Sequence, residues 1–189
     1  MITGVLLAAG RGERFGGDKL RAALPDGRVV GAAAAAAMIS ALPRVVAVTR
    51  PGDSGTAALL RAAGCEIVVC ERAAEGMGAS LACGVAACPA ASGWVIGLAD
   101  MPAIRAETVR ALAAALVDGA RLAAPVHDGL RGHPVGFAAE FGPLLVQLAG
   151  DEGARRIVSA HHDQLTLIEV TDPGIRFDVD SPLDLSAWG

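Results

Sequence analysis

Short apolar runs of strand length alternate along the first two thirds of the chain with longer stretches that carry alanine and leucine at helical spacing. The runs are ITGVLLAA, RVVAVT, EIVVC, GWVIGLAD and RLAAPV, and the stretches between them cover 31–42, 53–63, 79–87 and 106–117. Continuous apolar strands separated by helices are typical of a parallel sheet that helices bury on both faces. The pattern therefore predicts an α/β protein with three layers, α/β/α, whose ligands bind at the loops that follow the strands.

The pattern changes after Pro125. The segment HDGLRGHPVGF is polar and predicts a turn, and helical spacing follows over 138–147 and 152–160. The final segments, QLTLIEV and IRFDVDSPLDL, predict two more strands and a short closing helix. The chain has 189 residues, of which 53% are hydrophobic, and we find no linker or repeat. We therefore expect a single domain over residues 1–189 with one mostly parallel sheet.

Charge and hydropathy exclude several classes of partner. The formal net charge is −4, so the chain lacks the basic surface of a nucleic-acid-binding protein. The most apolar run, 29–42, consists mainly of alanine and is shorter than the roughly 20 residues of a membrane span. The first residues have no basic lead, so no secretory signal is evident and we expect a cytoplasmic protein without a membrane partner.

The four cysteines are Cys65, Cys70, Cys83 and Cys88. Their spacing matches no common zinc site, and nothing in the sequence indicates secretion. We therefore expect four reduced thiols that fill core positions.

A glycine-rich, cationic loop, LLAAGRGERFGGDKL, follows the first predicted strand. Backbone N–H groups of such a loop can turn toward an anion, and Arg11, Arg14 and Lys19 add positive charge, so the loop is a candidate phosphate site. It lacks the third glycine of the dinucleotide fingerprint. It also has the wrong spacing and no Ser or Thr for a P-loop.

The sequence LAAGRGERFGGDK resembles the signature loop of nucleotidyltransferases that act on sugar nucleotides and cofactors. Further segments, EGMGASL, LADMP, GLRGHPVGF, GDEGAR and DVDSPLDL, resemble the molybdenum cofactor cytidylyltransferases, a branch of the MobA-like nucleotidyltransferases. The resemblance spans nearly the whole chain. It implies the Rossmann-like fold of the nucleotide-diphospho-sugar transferases, and transfer of CMP from CTP to the phosphate of molybdopterin with release of pyrophosphate.

The acidic residues after the strands suggest a Mg²⁺ site. Asp100 follows an apolar strand, where a carboxylate can hold Mg²⁺ together with substrate phosphates; the alternative is a cap for the helix that begins near Ala106. Asp178 and Asp180 alternate in RFDVD and are expected on one face. The resemblance implies a second metal ligand here without deciding between them, and the alternative is a polar strand end with Asp180 capping the last helix.

The resemblance also implies which residues bind the nucleotide. They are Leu7, Ala8, Ala9, Gly10, Arg11, Gly12, Arg14, Lys19, Gly76, Gly78, Ser80 and Asp100. Among them, Arg14, Lys19 and Asp100 would neutralise charge during transfer and are the candidate catalytic residues. The EGMGASL loop would help to read the nucleobase, although Ser80 can equally be interpreted as a helix N-cap.

The acceptor side rests on His133 and Arg155. A histidine before proline in a polar loop is rarely a core residue, and the resemblance places His133 and the GDEGARR turn at the pterin phosphate. Arg155 can equally be a solvated surface residue. A molybdoenzyme or its maturation chaperone would be a further partner of such a protein.

Two other functions fit the same residues. Some relatives in this family are described as nicotine blue oxidoreductases, which implies an NAD(P)H-dependent reductase; the missing third glycine argues against it. A maturation factor that carries the cofactor without turnover is the other alternative, and the retained Arg14, Lys19 and Asp100 argue against that one. CTP is preferred to GTP because the loop has AAG where the guanylyl relatives have AGG, and because GHP is present.

Overall fold

An eight-stranded mixed sheet forms the centre of the structure, which is a computed structural model that describes residues 1–10, 12 and 15–186. The strands are β1 (Ile2–Leu7), β2 (Val45–Thr49), β3 (Glu66–Val69), β4 (Gly93–Leu98), β5 (Leu122–His127), β6 (Leu130–Arg131), β7 (Val135–Ala138) and β8 (Leu165–Glu169). Their order in the sheet is β3-β2-β1-β4-β7-β5-β6, and β8 pairs with β5.

The direction of the strands divides the sheet into two parts. Strands β1 to β4 are parallel to one another, as are β5 and β8. Strand β7 runs antiparallel to both β4 and β5, and β6 runs antiparallel to β5. Because β7 is antiparallel to both of its neighbours, β4 and β5 run in the same direction. The predicted mostly parallel α/β fold is confirmed.

Helices cover both faces of this sheet. They are α1 (Val30–Ala41), α2 (Ser54–Ala62), α3 (Met77–Ala86), α4 (Ala106–Val117), α5 (Gly142–Leu145), α6 (Arg155–Ala160) and α7 (Pro182–Ser186). Buried residues of α1, α2 and α4 form one apolar cluster with the sheet, and those of α3, α5 and α6 form a second cluster. The structure is therefore three-layered, with a core on each side of the strands. No helix in the described part of the chain combines the length and hydropathy needed to cross a bilayer.

Helix α1 lies close to the central strands because glycines leave space for it. A Cβ atom on Gly4 of β1 would lie 2.9 Å from Cε of Met38, and one on Gly97 of β4 would lie 2.8 Å from its Sδ. Met38 is 3% exposed. The alanine-rich sequence has high helix propensity, and its small side chains let α1 approach the strands so that Met38 reaches both glycine positions.

The first five predicted strands and the four helices between them are all present, with ends within two residues of the expected ones. The segment predicted as a polar turn contains the short strands β6 and β7. The segment IRFDVD is not a strand: a 3-10 turn occupies Pro173–Arg176, and no strand follows it through Asp180. Asp172 accepts a hydrogen bond from Gly174 N at 3.0 Å, which starts this turn.

The expectation of four reduced thiols is wrong for one pair. Cys70 and Cys83 form a disulfide, with Cα atoms 5.9 Å apart. Cys70 follows β3 and Cys83 lies on α3, so their proximity arises from packing that the spacing in the sequence does not show. Cys65 and Cys88 are free and buried, as expected.

We predict that the oxidised protein exposes no thiols when native and two when unfolded without reductant. Burial raises the pKa of the Cys65 thiol to about 11 and also raises that of Cys88. Both thiols should therefore resist a disulfide reagent at pH 8. Their contribution to the free energy of unfolding should be complete below roughly pH 8.5, the pKa of an unfolded cysteine, and should be lost as the pH rises through their pKa values in the folded protein. Thiol titration before and after unfolding measures this; four thiols in the unfolded, unreduced protein would contradict it.

A second prediction concerns the contact of α3 with the sheet. A Cβ atom on Gly84 would lie 2.5 Å from Cγ1 of Val5 and 2.8 Å from Cγ2 of Val48, so Gly84→Ala should lower the free energy of unfolding by about 1–3 kcal/mol. Gly55 on α2 is the matched control, since the three atoms nearest to a Cβ there all belong to the exposed, flexible side chain of Arg21, which can shift. Gly55→Ala should be neutral or stabilising by up to about 1 kcal/mol. Urea unfolding of both variants measures these changes in the free energy of unfolding. Equal changes in the two variants would contradict the role of Gly84 in packing.

Candidate functional site

A cleft of about 570 Å³ opens at the carboxyl ends of β1 and β4. Its lining residues are Leu7, Ala8, Ala9, Gly10, Gly12, Lys19, Leu20, Ala73, Ala74, Gly76, Met77, Ser80, Leu98, Asp100, Asp151 and Asp180. The loop after β1 forms one side, and the segment between β3 and α3 forms the other. The cleft thus lies at the edge of the sheet where parallel strands present their ligand-binding loops.

Lys19 and two carboxylates form the charged centre of the cleft. Nζ of Lys19 donates to Oδ2 of Asp100 at 2.7 Å and to Oδ1 of Asp180 at 3.3 Å. Burial lowers the pKa of Lys19, but the hydrogen bonds and charges of the two carboxylates outweigh it and raise the pKa above its ordinary value. Lys19 is therefore an ammonium at neutral pH, and both carboxylates point at one cation.

The backbone brings these three side chains together from distant parts of the chain. Asp100 follows β4, and its carbonyl oxygen accepts a hydrogen bond from Val179 N at 2.9 Å, which fixes the segment that carries Asp180. The Asp184 carboxylate accepts from the backbone N–H groups of Asp180 at 2.9 Å and Ser181 at 2.6 Å. Asp184 therefore supports the start of α7, and the Asp180 carboxylate faces Lys19 instead of capping that helix.

The structure separates the two candidates for the second metal ligand. Asp180 lines the cleft beside Lys19, whereas Asp178 is exposed and does not line it. Burial and the charges of Asp180 and Asp100 raise the pKa of Asp178. Within residues 1–10, 12 and 15–186, no group of three or more His, Cys, Asp or Glu side chains is placed to hold a metal ion. Asp100, Asp178 and Asp180 therefore do not form one three-carboxylate site.

Gly10 and Gly12 of the glycine-rich loop line the cleft together with this centre. Ala8 and Ala9 are buried, and Arg50 donates to the carbonyl oxygen of Gly10 at 2.9 Å. Gly12 has a φ of 62°, and a Cβ atom there would lie 2.9 Å from the carbonyl oxygen of Gly17. The loop thus needs glycine at this turn. Arg11 and Arg14, which we predicted at the phosphates, lie outside the described residues.

The opposite side of the cleft is formed by Gly76, Met77, Ser80 and Asp151, which we call the far wall. A side chain on Gly76 would overlap the Asp151 carboxylate and stand 2.5 Å from Gly150 O, and its φ of 121° also favours glycine. The turn that carries Asp151 is therefore seated directly on the start of α3.

The two small residues Gly78 and Ser80 of the EGMGASL loop differ in their position relative to the cleft. Gly78 does not line the cleft; its N–H donates to Gly150 O at 2.7 Å and holds the neighbouring turn. Ser80 lines the cleft but is not an N-cap, because α3 begins at Met77 and its cap position is Gly76. The Ser80 hydroxyl donates to Gly76 O at 3.4 Å.

His133 reaches the same edge of the sheet because β7 is antiparallel. The residues before an antiparallel strand lie where the residues after a parallel strand lie, so His133 comes near Asp100. Its N–H donates to Ile175 O at 2.8 Å. Burial lowers the pKa of His133, against the opposing charge of Asp100, so its imidazole is neutral at neutral pH.

The two predicted acceptor residues are not brought together in the cleft. Neither His133 nor Arg155 lines it, and Arg155 is exposed at the first position of α6. Asp151 is a cleft residue that we did not predict, because it lies in GDEGAR, a segment that we associated with the acceptor. Its position in the far wall results from the packing of that turn on Gly76. Met77 at the start of α3, and Ala73 and Ala74 before it, were also missed, since apolar side chains give no chemical signal.

The donor set fits a divalent metal ion. Two carboxylate oxygens already converge on one ammonium at 2.7 and 3.3 Å, and Mg²⁺ is commonly held by one or two carboxylates together with substrate phosphates. The backbone N–H groups of the glycine-rich loop beside them can donate hydrogen bonds to the phosphates. The arrangement is thus suited to binding a nucleotide polyphosphate.

Comparisons with known proteins agree with this geometry. Over 191 residues the chain is 31% identical to the purine catabolism protein PucB of Bacillus subtilis strain 168, covering 96% of this chain and 92% of PucB. It is 30% identical to the nicotine blue oxidoreductase of Paenarthrobacter nicotinovorans, covering 95% and 92% of the two chains. These relatives do not establish the cytidylyltransferase branch that we expected.

Solved structures show the same fold. The crystal structure of Rv0371c from Mycobacterium tuberculosis H37Rv matches with a TM-score of 0.82 and 29% identity, covering 99% of this chain and 96% of that one. A complex of Rv0371c with manganese matches with a TM-score of 0.82 and 25% identity, covering 99% and 97%.

The family itself follows from the sequence match. Residues 4–165, which include the glycine-rich loop, Lys19, Asp100 and His133, match the model of the MobA-like NTP transferase domain. The chain therefore belongs to the family of MobA-like NTP transferase domains.

Proposed function

We propose that this protein transfers CMP from CTP to the phosphate of a molybdopterin-type acceptor and releases pyrophosphate. The observation that carries the proposal is the convergence of Asp100 and Asp180 on Lys19 beneath the glycine-rich loop. Nucleotidyl transfer requires in-line positioning of two anions and neutralisation of the charge between them. A lysine ammonium and two carboxylates that could bind a metal ion meet at one point of the cleft, which supports the proposal.

The triphosphate would bind across the loop after β1. The backbone N–H groups of this loop and the Lys19 ammonium can donate hydrogen bonds to the phosphate oxygens. Arg11 and Arg14 are expected to add positive charge from the same loop. When Mg²⁺ is bound by Asp100 and Asp180, it supplies neutralisation at the transferred phosphate. Lys19 is then released from its carboxylate partners and can pair with a phosphate oxygen.

The acceptor would approach from the side of His133. A phosphate is already ionised at neutral pH, so its attack on the α-phosphorus of CTP needs no general base. His133, neutral because burial lowers its pKa, can donate one ring N–H to an acceptor oxygen without adding charge. Arg155, exposed at the start of α6, is proposed as a second contact for the acceptor.

A reductase remains the second candidate because one relative, 30% identical over 95% of this chain, is a nicotine blue oxidoreductase. Its dinucleotide would place the pyrophosphate over the same loop. A non-catalytic carrier of molybdenum cofactor is the third candidate. The carboxylate pair argues for the transferase, since neither a hydride transfer nor simple carriage uses a metal site beside a triphosphate.

We predict pyrophosphate release that requires CTP, Mg²⁺ and a molybdopterin acceptor. Asp100→Asn should reduce the rate about 10²–10³-fold, because it removes a carboxylate that would hold Mg²⁺ beside the transferring phosphate. Asp118→Asn, at the end of α4, is the control and should not alter the rate. ATP, GTP and UTP are tested in parallel. Oxidation of NADH or NADPH by a quinonoid dye, without pyrophosphate release from any triphosphate, would reject the transferase and favour the reductase.

We also predict that divalent metal stabilises the nucleotide-bound protein through Asp180. With CTP present, Mg²⁺ or Mn²⁺ at 100 times its Kd should add about 2.7 kcal/mol to the free energy of unfolding. Asp180→Asn should remove most of this gain, whereas Asp178→Asn should retain it, since only Asp180 lines the cleft beside Lys19. Thermal unfolding with and without metal measures both variants. The reverse result would assign the metal to Asp178.

A further inference from the structure

The cleft has two chemically different sides. Asp100 and Asp180 belong to the cluster around Lys19, whereas Asp151 lies in the far wall with Gly76, Met77 and Ser80. Asp100 and Asp180 share the Lys19 ammonium, whereas a carboxylate without a neighbouring cation repels a triphosphate, so Asp151 is unsuited to the phosphate end of a nucleotide. The nucleoside end is the part that reaches it when the phosphates lie over the glycine-rich loop.

The position of Asp151 is determined by backbone contacts. Gly78 N donates to Gly150 O at 2.7 Å, and Gly150 adopts a φ of 69°. Because Gly76 has no side chain, the Asp151 carboxylate can approach the start of α3 without a clash. Within the described ranges, no side chain forms a hydrogen bond or an ion pair with Asp151, and its carboxylate is exposed to the cleft. The group is therefore presented to a ligand on a fixed turn.

We propose that Asp151 selects cytosine by accepting a hydrogen bond from its exocyclic amino group. An ionised carboxylate only accepts hydrogen bonds, and acidic side chains pair with cytosine N4 in this way. Uracil differs at this position because it carries the acceptor O4, which a carboxylate repels. The proposal rests on the proposed binding of CTP and adds the residue that distinguishes the base.

The GDEGAR segment then has two roles. Its first residues, Gly150 and Asp151, serve the nucleotide rather than the acceptor, and only the later Arg155 remains on the acceptor side. The far wall otherwise offers small or apolar groups, since Gly76 has no side chain and the Ser80 hydroxyl donates to Gly76 O. The choice between cytosine and uracil therefore depends on the Asp151 carboxylate.

The test compares the affinities of CTP, UTP, 2′-deoxy-CTP and inorganic tripolyphosphate by calorimetry with Mg²⁺ present. Wild-type protein should prefer CTP to UTP. Asp151→Ala should weaken the binding of CTP roughly tenfold. The affinities for UTP and tripolyphosphate should be unchanged or slightly higher. Asp151→Asn should favour UTP relative to wild type, because its amide N–H₂ can donate to O4. Glu152→Gln is the matched control, since Glu152 pairs with Arg156 and lies outside the cleft lining.

Each other outcome overturns the inference. Equal weakening of CTP and UTP, with 2′-deoxy-CTP unaffected, would place Asp151 at the ribose. Unchanged affinities in both variants would exclude a nucleotide contact. If wild-type protein binds tripolyphosphate but no nucleoside triphosphate, the proposed function fails and the inference fails with it. If wild-type protein binds CTP and UTP equally, only the inference fails.

Discussion

The ammonium of Lys19 is the interaction on which the geometry of the cleft depends. Asp100 and Asp180 come from positions 80 residues apart, and without a cation between them their charges would repel each other. The contacts of 2.7 and 3.3 Å join the loop after β1, the end of β4 and the segment before α7. A metal ion bound by Asp100 and Asp180 would supply the same neutralisation between these two carboxylates.

The second determinant is the reversed direction of β7. A fully parallel sheet would place the residues before β7 at the edge opposite to the cleft, whereas the antiparallel insertion between β4 and β5 brings His133 to the side of Asp100. The hydrogen bond from His133 N to Ile175 O then ties this loop to the segment that leads to Asp180. One reversal thus gathers the nucleotide side and the expected acceptor side at one edge.

Periodic features of the sequence were predictable, and contacts between distant segments were not. The apolar runs of β1 to β5 and the loop residues Gly12, Lys19 and Asp100 could be placed because strand length and loop chemistry are local properties. Strands β6 and β7 have two and four residues, too few for a reliable period. The disulfide of Cys70 with Cys83 and the position of Asp151 arise where α3 packs against its neighbours, which neither spacing nor composition records.

The sheet is built from two halves that meet along one ladder. Four residue pairs, from Gly93 with Ala138 to Ile96 with Val135, are the hydrogen-bonded boundary between β1–β4 and the strands that follow. Changes of length or sequence beyond β7 therefore leave the register of the first four strands intact. Such an arrangement would let the later half of the sheet vary while the strands that position the loop after β1 keep their pairing.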